Sequence, residues 1–354
     1  MSRFFSEKYK ALDVYTPGEQ PKDMQYVKLN TNESPFPPSE KAQAYAAQAA
    51  ERLQLYCDPE NTALTKKFAE VYGISTDEVL FTNGSDDALN FSFMAFCDDE
   101  HPAAFADITY GFYPVFAALN RVPYEEIPLN ADFTINVEDY IGVNKTIFIA
   151  NPNAPTGIAL PLSDIERILQ SNPDNVVIVD EAYVDFGTES AVSLIHKYDN
   201  LLVTQTFSKS RSLAGGRLGM AIGGAELIRE LNTIKYSTNP YNINSMTQGA
   251  GLGALEDDEY FRSNCATIME NRAYLAEKLA ELGFVMTESK SNFLFAKHPQ
   301  LDGEKLYLEL KKRGVLVRHF TKERIRDYNR ITVGTKEQLD VLLHHIREIL
   351  EENA

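Results

Sequence analysis

Short unbroken runs of apolar and β-branched residues recur along the first two thirds of the chain, each closed by polar or glycine-rich residues. They lie near 79–82, 103–107, 146–150, 175–180, 201–206 and 218–222. A run with no polar alternation suits a strand covered on both faces, as in a parallel sheet. Helical stretches separate these runs, after an alanine-rich helix predicted from Lys41 to Leu55 and another from Asn61 to Tyr72. The alternation predicts an α/β fold, a mostly parallel sheet sandwiched by helices. Residues 1–41 are broken by Pro17, Pro21, Pro35, Pro37 and Pro38 and read as irregular.

The pattern changes near residue 257. Phe261, Cys265, Ile268, Leu275, Leu279 and Leu282 recur at helical spacing, predicting one long helix from Asp258 to Leu282, its stripe interrupted by Arg272. Shorter runs at Phe293–Phe295, Val315–Val317 and Ile331–Val333, a helix near 303–313 and a closing amphipathic helix follow. These suit a smaller α+β domain. The expected division is a large domain over 42–256 and a small one built from 1–41 plus 257–354.

At 354 residues, 44% of them hydrophobic, the chain can bury a substantial core. A formal charge of −17 repels nucleic-acid phosphates, and no basic run offsets it, so nucleic acid is excluded as a partner. An anionic small molecule would have to be held by a few arginines gathered in a pocket. No apolar run is long enough to span a bilayer. The first eight residues lack a secretory apolar stretch, and a cytoplasmic protein is expected. Cys57, Cys97 and Cys265 have no metal-ligand spacing; they read as reduced thiols, and no metal is expected.

The chemistry gathers where strands end. Asn83-Gly84-Ser85-Asp86 follows one predicted strand and opens a helix, leaving backbone N–H groups free for a phosphate. Asn151 to Gly157 follows another strand, and Asp180-Glu181-Ala182-Tyr183 a third. Thr206 to Arg217 follows a fourth and sets Lys209 among hydroxyls and glycines, with Arg217 eight residues on. Each has a plainer reading: Ser85 or Asp86 as a helix cap, Pro-Thr-Gly as a turn, Asp180 as a paired core acid. Four such loops at one sheet edge, where open α/β sheets bind ligands, favour a site. A lysine amine beside an anion cradle suits a Schiff base to a phosphorylated aldehyde.

These motifs, with Tyr15-Thr16-Pro17-Gly18, Leu29 to Pro35, Tyr56-Cys57-Asp58, Gly314 to Arg318 and Arg330 to Gly334, resemble the fold-type I pyridoxal-phosphate aminotransferases, most of all their histidinol-phosphate branch. The resemblance implies pyridoxal 5'-phosphate as cofactor and Lys209 as the lysine that bonds it. It implies Asp180 as partner of the pyridine nitrogen and Tyr183 as a donor to the ring oxygen. Gly84, Ser85, Asp86, Ser208 and Arg217 would hold the cofactor phosphate, joined by Tyr56 from a second subunit of a homodimer. Tyr110 would stack on the ring. Ala154 stands where the family has an asparagine before Pro-Thr-Gly, so Asn153 is the expected substitute. Tyr15, Arg318 and Arg330 would bind substrate. The implied reaction moves an amino group from L-histidinol phosphate to 2-oxoglutarate; an aromatic aminotransferase and a phosphothreonine-type decarboxylase share the same cofactor residues.

Overall fold

The computed structural model describes residues 2–10, 12–13 and 15–353. Its main sheet has seven strands in the spatial order Val79–Thr82, Gly219–Gly223, Leu201–Thr206, Val177–Asp180, Thr146–Ala150, Ala103–Ala106 and Tyr124–Ile127. All run parallel except Gly219–Gly223, which is antiparallel to both neighbours. The unbroken apolar runs follow from burial on both faces. Ile147, Ile149, Val177, Val179, Leu201 and Val203 pack into one core, whereas the intervening Phe148, Ile178 and Leu202 pack into another. The period-2 geometry of a strand makes that division.

Every expected inner strand is present within a residue or two. The unanticipated strand is Tyr124–Ile127, at the sheet edge, where Tyr124, Glu125 and Glu126 are exposed and no apolar run is required. The first long helix spans Glu40–Ala50, capped by Ser39 accepting from the Ala42 N–H, and ends short of the expected Leu55. The next is Thr62–Tyr72, its first turn tied by Asp58, which accepts from the Thr62 and Glu60 N–H groups.

A second sheet, antiparallel, has the order Arg318–His319, Asn329–Thr332, Phe293–Lys297, Val285–Met286. Helices Asp258–Glu281, Gly303–Lys312 and Lys336–Glu352 cover it around a separate core containing Cys265, Ile268, Leu275, Leu339, Leu342 and Ile346. Arg272 leaves the apolar stripe to donate to the carbonyls of Phe186 (2.9 Å) and Ser291 (2.6 Å). The N-terminal segment joins this unit: Val27–Lys28 pairs in parallel with Val315–Leu316, and the Leu29 carbonyl accepts from the Thr332 N–H at 2.9 Å. On this packing we propose the two-part division at residues 42 and 257. Among the described residues no helix is long and apolar enough to cross a membrane.

Candidate active site

Because the strands on either side of Gly219–Gly223 point the same way, four loops emerge at one edge. They are the turn after Thr82, the cis-proline segment after Ala150, the residues after Asp180 and the loop after Thr206. Together they wall a cavity of about 360 Å³ lined by Ser85, Asp86, Tyr110, Asp180, Tyr183, Ser208, Lys209 and Arg217, among others. A larger cavity of about 750 Å³ adjoins it, sharing Tyr110, Tyr183 and Lys209 and adding Tyr15, Arg318 and Arg330.

The floor carries an acid and an amine. Asp180 is 5% exposed; its carboxylate accepts from Tyr113 Oη at 2.9 Å and Thr204 Oγ1 at 3.2 Å. Burial pushes its pKa up to about 6, against the lowering effect of those two hydrogen bonds. Glu181, the next residue, turns to the other side and is held by Ser190, the Ala191 N–H and Gln205. Among the described residues Lys209 Nζ has one hydrogen bond, to the Thr31 carbonyl at 3.3 Å, and it lies 5.8 Å from the centre of the Tyr183 ring. Burial first, then the positive charge of Arg330, pulls the amine down to about 8.

The rim is built from a glycine turn, a helix start and an arginine. Gly84 adopts φ +79°, a left-handed conformation that suits glycine, and turns the chain into helix Ser85–Phe96. A Cβ on Gly84 would lie 2.6 Å from Arg217 Nη2, and one on Gly219 would lie 2.2 Å from the Ser85 nitrogen. Both positions must therefore be bare for strand, turn and arginine to close together. Arg217 reaches Asp86 Oδ2 (3.1 Å) and Ser208 Oγ (3.3 Å), and Asp86 also accepts from Tyr110 Oη (2.7 Å). The Asp86 carboxylate is thus engaged, and its backbone N–H is the part available to an anion.

In the outer cavity Arg318 and Arg330 are direct cross-strand partners of an antiparallel pair, which sets both side chains on one face. Arg318 donates to the carbonyls of Thr16 (3.0 Å) and Pro17 (3.2 Å). Arg330 donates to the Asn30 carbonyl at 3.2 Å, while its Nε is buried with no partner among the described residues. Burial lowers its pKa. Tyr15 stacks on Phe112 with ring centroids 4.1 Å apart.

One expected residue is not where it was anticipated. Asn153 lines neither of these cavities. Its Oδ1 accepts from Thr109, and its Nδ2 donates to the Ile108 carbonyl and Thr156, so its amide is spent bracing the turn; Ala154 is the residue that faces the cavity. The reading of Asn153 as a ring-oxygen ligand is therefore corrected. Tyr56 is 84% exposed, stacks on Tyr241 and lines neither cavity of its own chain. Two residues had been given no role: Tyr113, which holds Asp180, and Asn32, part of the Leu29 to Pro35 motif, which donates to Tyr183 Oη at 2.9 Å.

A family model described as aminotransferase class I and II matches residues 24–346. A histidinol-phosphate aminotransferase of Brachyspira hyodysenteriae is 48% identical, over 99% of this chain and 100% of that protein. One from a Marinomonas species is 50% identical, over 97% and 98%. Among solved structures, histidinol-phosphate aminotransferase from Sinorhizobium meliloti in complex with pyridoxal-5'-phosphate superimposes with a TM-score of 0.90 at 20% identity, covering 100% of this chain and 99% of that one. With a family model matched over most of its length and relatives about half identical to it end to end, this chain belongs to the class I and II aminotransferases.

Proposed function

We propose that the chain is a pyridoxal-phosphate-dependent histidinol-phosphate aminotransferase, exchanging an amino group between L-histidinol phosphate and 2-oxoglutarate to give imidazole acetol phosphate and glutamate. The observation that carries the cofactor is a depressed amine, Lys209, set between a buried acid and a cradle that closes only because Gly84 and Gly219 lack side chains. The observation that carries the substrate is the facing pair Arg318 and Arg330 at the mouth, the latter with an unpartnered buried N–H.

Pyridoxal phosphate, when bound, supplies an aldehyde for the amine and a ring that accepts the electron pair left at the substrate α-carbon. Lys209, neutral in part near pH 8, accepts the proton from that carbon and returns it on the other side of the exchange. Above about pH 6 the Asp180 carboxylate is anionic and would hold a protonated ring nitrogen, with Tyr113 and Thr204 fixing its two oxygens. The N–H groups at Ser85 and Asp86, with Ser208 and Arg217, grip the phosphate. Tyr110 and Tyr183 line the wall of the cavity and would flank the ring. Arg318 and Arg330, with Tyr15, take the substrate phosphate in one half-reaction and carboxylates in the other.

Tyr56 completes the cradle of a second copy in a homodimer. The exposure of Tyr56, Tyr241, Leu53 and Leu55 in one region supports that surface as the contact. The deciding experiment assays amino transfer from histidinol phosphate and phenylalanine, and carbon dioxide release from phosphothreonine, in parallel. Histidinol phosphate should lead in kcat/KM by a wide margin; a lead for phenylalanine or phosphothreonine would overturn the assignment.

A further inference from the structure

Three consecutive residues of the N-terminal segment each hold a different group of the site. The Asn30 carbonyl accepts from Arg330 (3.2 Å), the Thr31 carbonyl from Lys209 (3.3 Å), and the Asn32 side chain donates to Tyr183 Oη (2.9 Å). Asn32 is 1% exposed and sits at φ +56°, a conformation that asparagine tolerates better than most residues. Its surroundings fix which way its amide points. The Asn32 backbone N–H donates to Thr332 Oγ1 (2.9 Å), so that hydroxyl's own proton goes to Asn32 Oδ1 (3.1 Å). The Asn32 carbonyl is meanwhile taken by Asn292 Nδ2 (2.9 Å). With Oδ1 occupied, the NH₂ end faces Tyr183, whose oxygen becomes an acceptor. A hydroxyl that accepts from one side has its proton free for another. The open side of Tyr183 is the cavity it lines with Lys209.

We propose that Asn32 is a positioning residue that acts through Tyr183, turning the phenol into a fixed hydrogen-bond donor aimed into the cavity. This rests on the function proposed above. The neutral Ala154 on the neighbouring wall offers no polar side-chain atom to share that task. The charged and titratable groups around Tyr183 are Arg330, Asp180, Asp86, Tyr15, Tyr113 and Lys209. None of them shares a hydrogen bond with the Asn32 side chain, which meets Tyr183 and Thr332.

The test is a pH titration of the visible band of the holoenzyme for wild type, Asn32→Gly, Tyr183→Phe and the double variant. Glycine keeps the left-handed backbone without strain. A donor aimed at an oxygen that becomes anionic lowers the titration midpoint. Asn32→Gly should therefore raise it by about half a pH unit, toward the Tyr183→Phe value. In the Tyr183→Phe background the same change should add nothing. A midpoint unchanged in Asn32→Gly, or the same shift recurring in the double variant, would overturn the proposal. If wild type itself shows no visible band with pyridoxal phosphate, it is the function assignment that fails.

Discussion

Capture of the cofactor by stripped protein should depend on pH in a way set by Lys209 and the two charges that act on it most, one in each direction. The ordinary lysine value is 10.5 and the enclosed amine sits at about 8, a gap of about 2.5 pH units. At neutral pH about one Lys209 amine in ten is then neutral, against roughly one in three thousand for an ordinary lysine. Only the neutral form attacks an aldehyde, so the capture rate of the stripped protein should rise through a midpoint near pH 8. Arg330 lowers the amine's pKa and Glu33 raises it. Arg330→Gln should therefore move the midpoint up and Glu33→Gln should move it down, each by a few tenths of a unit to about one. The assay follows growth of visible absorbance after adding pyridoxal phosphate, in buffers from neutral to about pH 10.5. Movement of both midpoints in the same direction, or a wild-type rate still climbing without a break at about pH 10, would refute the reasoning.

Lys209→Met should stabilise the cofactor-free protein at neutral pH, because the cost of burying the charged amine is fully present below about 8 and vanishes above 10.5. Urea unfolding should give a gain on the order of 3 kcal/mol at most, fading as pH approaches 10.5. Gly84→Ala forces a side chain into a φ +79° turn and against Arg217, so equilibrium titration should show pyridoxal phosphate binding weakened by at least about tenfold, with the fold retained by circular dichroism. Tyr113→Phe removes a hydrogen bond that holds the Asp180 pKa down, so the acid limb of the kcat/KM profile should move up by on the order of half a unit from its position near 6. Arg318→Ala should raise KM for the phosphorylated substrate about tenfold or more while leaving the cofactor dissociation constant, measured by fluorescence, within about twofold.

The inner strands were legible because a strand covered on both faces needs apolar residues at every position, as Val177 to Val179 and Leu201 to Val203 show. Tyr124–Ile127 carries no such signature, since an edge strand leaves two glutamates in water. Lys209, Asp180, Gly84 and Arg217 were legible for a related reason: each lies just beyond or beside an apolar run, where topology delivers side chains to one edge. Tyr113 and Asn32 were not. Their roles come from contacts 67 and 151 residues away along the chain; Tyr113 sits in no local pattern that marks it, and Asn32 lies in the Leu29 to Pro35 motif without anything local to give it a role. Asn153 misled because an asparagine beside a proline turn is as well suited to brace that turn as to meet a ligand, and here it braces.

The short segment Asn30 to Asn32 is stitched to the smaller sheet by the Leu29 carbonyl and by Thr332, yet two of its contacts fall on residues carried by the larger one. A tilt of the smaller unit would accordingly tug the lysine's carbonyl partner and the tyrosine's amide partner in concert. The two groups would be retuned together by a single rigid movement. An outer ligand that draws Arg318 and Arg330 inward has in this tether a mechanical line to the reacting centre.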